Sequence, residues 1–318
     1  MALSRTLPLC ASAPPCENLF PATRPRAFAW LHSQTPAPGG TSSGAPMTAA
    51  RQALRDAAAR FAFSDTARLD AELLLAHALG ITRERLLLTL DDWTAPPGYA
   101  AMVERRVRHE PVAYITGTRA FWTIELAVGP GALIPRPDSE TLLEAALAHF
   151  TDRLPARVLD LGTGPGTLLL AALAEWPHAT GLGVDRSDAA LDQARTNAAA
   201  LALADRAAFQ RGDWAAGIAE RFDLVLANPP YVAVGADLPD EVRDYEPAAA
   251  LFAGIDGLDD YRVIAPQLPA LLAPGGLACV EIGADQGATV TALFRAAGLG
   301  VALRRDLAGR DRCLVVTA

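Results

Sequence analysis

In the stretch "LVLANPPYV", residues 224–232, an apolar run delivers Asn228, Pro229, Pro230 and Tyr231 to a turn. An asparagine side-chain oxygen accepts hydrogen bonds. The prolines fix φ and carry no N–H, so less local structure consumes the carbonyls around them. The Asn228 oxygen and the Pro229 carbonyl can therefore act as a fixed pair of acceptors for the two hydrogens of a planar NH2, leaving a π-face of its nitrogen open. Tyr231 is expected to pack on the flat group that carries the NH2. Holding a nitrogen in line with an electrophilic methyl lowers a barrier through orientation, without a metal or a covalent nucleophile. The competing reading is a strand followed by a stiff loop, and the other strand ends decide between the two.

The segment "DLGTGPG", residues 160–166, is a loop between a strand and a helix. Gly162, Gly164 and Gly166 let the backbone approach a ligand where side chains would clash. Thr163 and Pro165 complete the loop. Asp185 ends the next strand, where an acid accepts hydrogen bonds from ribose hydroxyls. Asp213 and Trp214 end a third strand, and a carboxylate with an indole suits an adenine, one for its amino group and one for its ring. Alone, the glycine pattern also fits nicotinamide and flavin enzymes. The spacing here is G-x-G-x-G, however, with little positive charge, and Pro165 removes an N–H that would cradle a pyrophosphate. A nucleoside without phosphates fits better.

These residues need a frame. The chain has 318 residues, half of them hydrophobic, which is enough for one large domain or two modest ones. A net charge of −8 argues against a broad nucleic-acid-binding surface. Cys10, Cys16, Cys279 and Cys313 form no C-x-x-C pair, the five histidines are scattered, and no metal site is expected. No apolar run is long enough for a membrane span. Residues 1–46 are rich in Pro, Ser, Thr and Ala, with Arg5, Arg24 and Arg26 against the single acid Glu17. They are expected to be a disordered extension, either a targeting segment or sequence ahead of a true start at Met47.

Residues 47–115 read as a small helical domain. Leu54, Ala58 and Phe61 share one helical face, as do Leu69, Leu73 and Ala76 in the next helix, with Ser64 or Asp65 as its cap and Gly80 as its stop. A short third helix follows, and a fourth runs from the prolines at 96–97 to Pro111. Arg83, Arg85, Arg105, Arg106 and Arg108 could meet an acidic or RNA partner, although a solvated face is the plainer reading. Residues 116–140 read as a β-hairpin linker turning at Gly129-Pro130-Gly131, and Asp138 or Ser139 as a cap for the helix that follows. From residue 141 to 318 strands and helices alternate, and the last two strands are antiparallel because their connection is short. The expected fold class is α/β, a Rossmann-like seven-stranded mostly parallel sheet with an antiparallel strand near the C-terminus, plus the small N-terminal helical domain.

The set "EPVAYITGTRAFW", "PGALIPRPDSETLLE", "VLDLGTGPG", "VDRS", "GDW", "NPPYV", "YEPAAALFAGIDGL", "EIGADQG" and "DLAGRDR", in that order and spacing, resembles the release factor glutamine methyltransferase family of the PrmC/HemK type, within the class I S-adenosylmethionine (AdoMet)-dependent methyltransferases. The likeness runs from about residue 48 to the C-terminal end. It implies methyl transfer from AdoMet to the side-chain amide nitrogen of the glutamine in the Gly-Gly-Gln motif of peptide chain release factors. Gly162, Thr163, Gly164, Pro165, Gly166, Asp185, Asp213, Trp214 and Asn228 would then line the AdoMet site, and Asn228, Pro229, Pro230 and Tyr231 would hold the glutamine, with the helical domain gripping the release factor. Two departures from the family pattern are Pro165, where Thr or Ser is usual, and Thr123, where Gly is common.

An amide nitrogen is a poor nucleophile because its lone pair is delocalised. Polarising both N–H bonds returns density to it, and no strong base is needed before attack, since the product loses its proton readily. Glu281 and Tyr231 are candidate proton acceptors. A ribosomal-protein glutamine methyltransferase and an adenine-N6 nucleic-acid methyltransferase are the competing enzyme readings, because adenine also offers a planar NH2. A non-enzymatic binding module fits poorly with so many functional strand ends, and a dehydrogenase would need a pyrophosphate-ready loop. The expected protein is a monomer without stable nucleic acid or membrane partners, cytoplasmic, or organellar if residues 1–46 target it.

Overall fold

The periodicity that alternates between helix and strand along the sequence resolves into named elements in the computed structural model, which describes residues 49–318. The expectations for residues 1–46, Cys10, Cys16 and Met47 lie outside the described residues. In chain order come helices α1 (Ala49–Arg60), α2 (Ala67–Leu79), α3 (Arg83–Leu88), α4 (Pro97–Val107) and α5 (Val112–Thr116). The hairpin strands β1 (Thr118–Phe121) and β2 (Ile124–Ala127) follow, then α6 (Glu140–His149), β3 (Arg157–Leu161), α7 (Thr167–Glu175), β4 (Thr180–Asp185), α8 (Asp188–Ala200), β5 (Ala207–Arg211) and β6 (Phe222–Ala227). The chain closes with α9 (Asp240–Arg243), α10 (Asp259–Ile264), α11 (Leu268–Leu271), β7 (Leu272–Glu281), α12 (Gly287–Ala296), β8 (Gly300–Arg305) and β9 (Asp311–Thr317).

Seven strands form one sheet in the order β5-β4-β3-β6-β7-β9-β8, parallel except that β9 runs antiparallel to both its neighbours. The expected architecture is therefore present. All six residues of β6 are buried, as a strand covered on both faces requires. Alternation sorts the side chains: Val158, Leu224, Leu226, Leu277 and Cys279 pack under α6 and α7 on one face. Leu159, Leu161, Val225, Ala227, Ala278 and Val280 pack under α10 to α12 on the other. Helix α7 buries Leu168 through Leu173 without a polar stripe, which fits a helix enclosed on all sides. The order of the strands reverses between β3 and β6, so their C-terminal ends splay around a crevice. Such a switch point is where open α/β sheets bind ligands.

The helical segment and the sheet belong to one compact unit, Pro46–Ala318. The details of that segment differ from the sequence reading. In α2 Ala76 reaches the core as expected, but with Leu74 and Leu75, while Leu69 is exposed and Leu73 half-buried, and the buried face also carries Asp70 and Glu72, each paired within the chain. Asp70 accepts from the Ser64 and Thr66 hydroxyls at 2.8 and 2.9 Å, and Thr66, not Ser64 or Asp65, takes the position before the first turn. Gly80 does end the helix, at φ +67°. Three of the five arginines singled out for a partner are committed within the chain. Arg83 pairs with Glu72 at 2.8 Å, Arg105 with Glu110 at 2.5 Å, and Arg106, itself buried, with Asp70 at 2.8 Å and Glu241 at 2.6 Å.

The hairpin turns at Trp122-Thr123, not at Gly129-Pro130-Gly131. Trp122 adopts φ +53°, a sign of the primed turns that match strand twist. Its N–H and indole N–H are held by Glu140 at 2.9 Å and Glu175 at 3.1 Å. The Gly-Pro-Gly segment instead bends the chain toward the crevice, with the Gly129 and Pro130 carbonyls accepting from Gln193. Between β6 and β7 the helical stretch is divided into α10 and α11, because Pro266 and Pro269 interrupt the hydrogen-bond ladder.

Candidate active site

A cleft with about 1070 Å³ of empty space lies over the C-terminal ends of β3, β4, β5 and β6. Gly162, Thr163, Gly164, Pro165, Asp185, Asp213, Trp214, Asn228 and Pro230 all line it. Residues far apart in the sequence thus converge because each ends a parallel strand of the same sheet. Gly166, Pro229 and Tyr231 are not part of the lining. Gly166 begins α7 at φ +87°, and a Cβ there would lie 2.8 Å from Leu170, so it serves helix packing. Tyr231 is half-buried against the core under α10 to α12, and its carbonyl accepts from Gln286 at 3.0 Å.

The glycine loop is clasped from several sides. The Gly162 and Thr163 N–H groups donate to the Val184 carbonyl at 2.9 and 3.0 Å. Gly164 N–H donates to Asp185 Oδ2 at 2.9 Å, and Ser187 N–H to Asp185 Oδ1 at 2.8 Å. Asp185 is thereby aimed along the cleft, and each oxygen retains accepting capacity for a ligand hydroxyl. Asn197 holds the Pro165 carbonyl at 2.9 Å and both backbone groups of Ala127 in the hairpin. Gly162 has φ +70°, and a Cβ would lie 3.1 Å from the Trp214 ring, so the indole edge rests on this glycine. Trp214 offers its ring to the cleft, while its indole N–H is spoken for by Asp260.

Asp160 is the buried acid of the site. Its Oδ2 accepts from the Thr163 hydroxyl at 2.7 Å and from Leu169 N–H at 3.2 Å, whereas Oδ1 has no partner among the described residues. Burial pushes its carboxyl up to about 7, opposed by those two hydrogen bonds. An unpaired buried acceptor costs free energy unless something cationic or hydrogen-bonding meets it.

Asn228 stands at the end of β6, half-buried on the cleft wall. Its Nδ2 donates to the Ser139 hydroxyl oxygen at 3.1 Å. That bond orients the amide: one Nδ2 hydrogen is committed to Ser139, and Oδ1, to which no described residue donates, is left as an acceptor for an NH2. No described residue donates to the Pro229 carbonyl either. Tyr231 is less suited to take a proton, since burial, with Glu281 close by, pushes its hydroxyl up to about 12 and keeps it protonated at neutral pH.

Residues 131–136, Ser139 and the loop at Pro247, Ala249 and Ala250 also line the cleft. The sequence reading places none of them at the site: Ser139 is a candidate helix cap and Gly131 part of a turn. Arg136 pairs with the buried Glu246, whose other oxygen accepts from Ile134 N–H at 3.2 Å, and Arg186 reaches the Ala249 carbonyl at 2.5 Å. These bonds draw two irregular loops into a wall. Neither loop has a periodicity to announce it; the only signal was their place among the motifs of the resemblance.

The donor set fits AdoMet. Asp160, Asp185 and Asp213 line the cleft, while its two arginines, Arg136 and Arg186, are engaged by Glu246 and the Ala249 carbonyl, an arrangement that suits a ligand with sulfonium and ammonium charges better than a pyrophosphate. Gly164, at φ +55°, has nothing within 4 Å of where a Cβ would stand, so its backbone faces open cleft.

Comparison with known proteins agrees. A family model for the PrmC N-terminal domain matches residues 52–117, and one for the methyltransferase small domain matches residues 138–243. The chain is 47% identical over 255 residues to a release factor glutamine methyltransferase of Rhodospirillum rubrum, covering 78% of each chain. It is 43% identical over 284 residues to one of Caulobacter vibrioides (84% of this chain, 93% of the relative). A third, from Cereibacter sphaeroides, is 48% identical over 272 residues (83% and 96%). Such identity, sustained across nearly the whole length of relatives that share the helical segment as well as the sheet, means that this chain belongs to the release factor glutamine methyltransferase family.

Proposed function

We propose that this enzyme transfers a methyl group from AdoMet to the side-chain amide nitrogen of a glutamine in peptide chain release factors, the one in their Gly-Gly-Gln motif. Family membership supports the reaction class and the cofactor. The observation that carries the residue-level reading is the Asn228 amide, held by Ser139 with its oxygen left to the cleft. Bound AdoMet supplies an electrophilic methyl on a sulfonium. Asp160 faces its cationic centres, Asp185 accepts its ribose hydroxyls, and Trp214 with the glycine loop encloses the nucleoside. Asn228 Oδ1 and the Pro229 carbonyl accept the two N–H hydrogens of the substrate amide, which fixes the nitrogen and raises its electron density. Transfer would form the N–C bond as the C–S bond breaks, leaving the neutral thioether S-adenosylhomocysteine, and the cationic nitrogen would release its proton to solvent. Pro230 and the body of Tyr231 stiffen the turn behind this pair. The helical segment, α1 to α5, helps to hold the release factor.

Incubation of the full chain with labelled AdoMet and either a release factor or ribosomal proteins, followed by mass spectrometry, tests the assignment. The expected result is a methyl on the Gly-Gly-Gln glutamine. Label found only on a ribosomal-protein glutamine or on nucleic-acid adenine would overturn it.

A further inference from the structure

The Asn-Pro-Pro-Tyr turn explains which atoms receive the substrate, but not why the Asn228 amide faces one way. An amide side chain presents an oxygen or an NH2 from nearly the same place, and only its partners decide. Here the partner is Ser139, buried at the start of α6, which takes the Nδ2 hydrogen at 3.1 Å. A hydroxyl has one hydrogen of its own, and the buried carboxylate of Glu281, at the end of β7, lies close enough to Ser139 to attract it. Glu281 is 1% exposed, and its Oε2 has no partner among the described residues. A carboxylate so placed is costly to the fold, and the positions on either side of it, Val280 of β7 and Ile282 just after the strand, are ordinary hydrophobic residues.

We propose that Ser139 and Glu281 are positioning residues for the methyl acceptor: the Glu281 carboxylate takes the Ser139 hydrogen, which leaves Ser139 to act as an acceptor for Asn228 and turns the Asn228 oxygen toward the substrate amide. This rests on the function proposed above. The direction of the chain depends on the charge of Glu281. A protonated Glu281 donates to Ser139 instead, the Ser139 hydrogen swings to Asn228, and Asn228 then shows its NH2 to a substrate NH2, donor against donor. Burial raises the Glu281 carboxyl to about 7, against the Ser139 hydrogen bond and the charge of Arg312. Asp138 and Arg136 ahead of α6, Tyr231 after β6, Tyr261 of α10 and Cys313 of β9 are the other titratable or charged groups around it. The chain is therefore set for transfer above that pH and reversed below it.

The test uses the full chain with a release factor at saturating AdoMet, so that titration of Asp160, which acts on cofactor affinity, does not enter. Ser139→Ala is expected to lower kcat by about 10- to 100-fold, with the Kd for AdoMet changed by less than about threefold. In the unmodified enzyme kcat should fall on the acid side of a midpoint near that of Glu281, and Glu281→Gln should abolish this acid limb. A Ser139→Ala enzyme with undiminished kcat overturns the proposal, as does an acid limb that persists in Glu281→Gln. If Ser139→Ala also loses AdoMet binding, its fold is damaged and the Glu281→Gln pH profile decides. Failure of the unmodified enzyme to methylate a release factor glutamine would instead count against the function.

Discussion

Replacing Asn228 with alanine removes one of the two acceptors proposed to hold the substrate amide. The amide keeps the Pro229 carbonyl, so it can still bind, but it gains a rotational freedom that the pair had denied it. In a water-poor cleft, loss of one preorganised hydrogen-bonding group aimed at the reacting centre costs roughly 10²- to 10³-fold in kcat, or about 3–4 kcal/mol. A misplacement of the nitrogen by about 1 Å has a similar cost. The cofactor should suffer far less, because Asp160, Asp185 and the loop at Gly162–Gly164 face it from other strands. Asn228 lines the same cleft, so AdoMet affinity is expected to weaken by no more than about tenfold. Stability should barely change, since the side chain is half-buried and leaves the six buried residues of β6 in place. Single-turnover methyl transfer at saturating AdoMet, alongside calorimetric AdoMet binding, separates the effects. Undiminished turnover, or equal losses of turnover and cofactor binding, would refute the role given to Asn228.

Asp185→Ala removes both the ribose acceptor and the clasp on Gly164 and Ser187, and should raise the Kd for AdoMet by about 10- to 100-fold in calorimetry. Asp160 is protonated below about 7 in the folded protein but has an ordinary value of 3.8. A cationic ligand favours its ionised form, so AdoMet affinity should fall as pH drops through about 7, and Asp160→Asn should flatten that dependence. In the absence of ligand the same group lets the folded state hold a proton that the unfolded state has released. Stability should therefore decline as pH rises from about 4 to 7, and urea titrations of Asp160→Asn should show less of that decline. Arg106→Ala leaves Asp70 buried without its cation and should destabilise the fold by about 3–5 kcal/mol in urea denaturation, whatever its effect on activity.

The sequence by itself determined the alternation of strands and helices, the parallel sheet, the glycine loop with its distal acid and the Asn-Pro-Pro-Tyr turn. Those features are local: an apolar run of four to six residues, a glycine that must adopt positive φ and a proline that cannot donate are visible within a short window. What only the tertiary structure decided is how residues without a local signature are oriented. Ser139 read as a helix cap, yet it has no capping bond and instead takes the Asn228 amide. Arg106 read as one cation on a solvated face, yet it is buried between α2 and α9. Glu246, buried and paired with Arg136, pulls an irregular loop into the cleft wall. Each of these depends on a partner far along the chain, and a hydrogen bond or ion pair across such a separation has no periodicity. The direction in which Asn228 points is set by the same physics: two residues more than fifty positions away on either side fix an amide that the sequence alone leaves free to present oxygen or nitrogen.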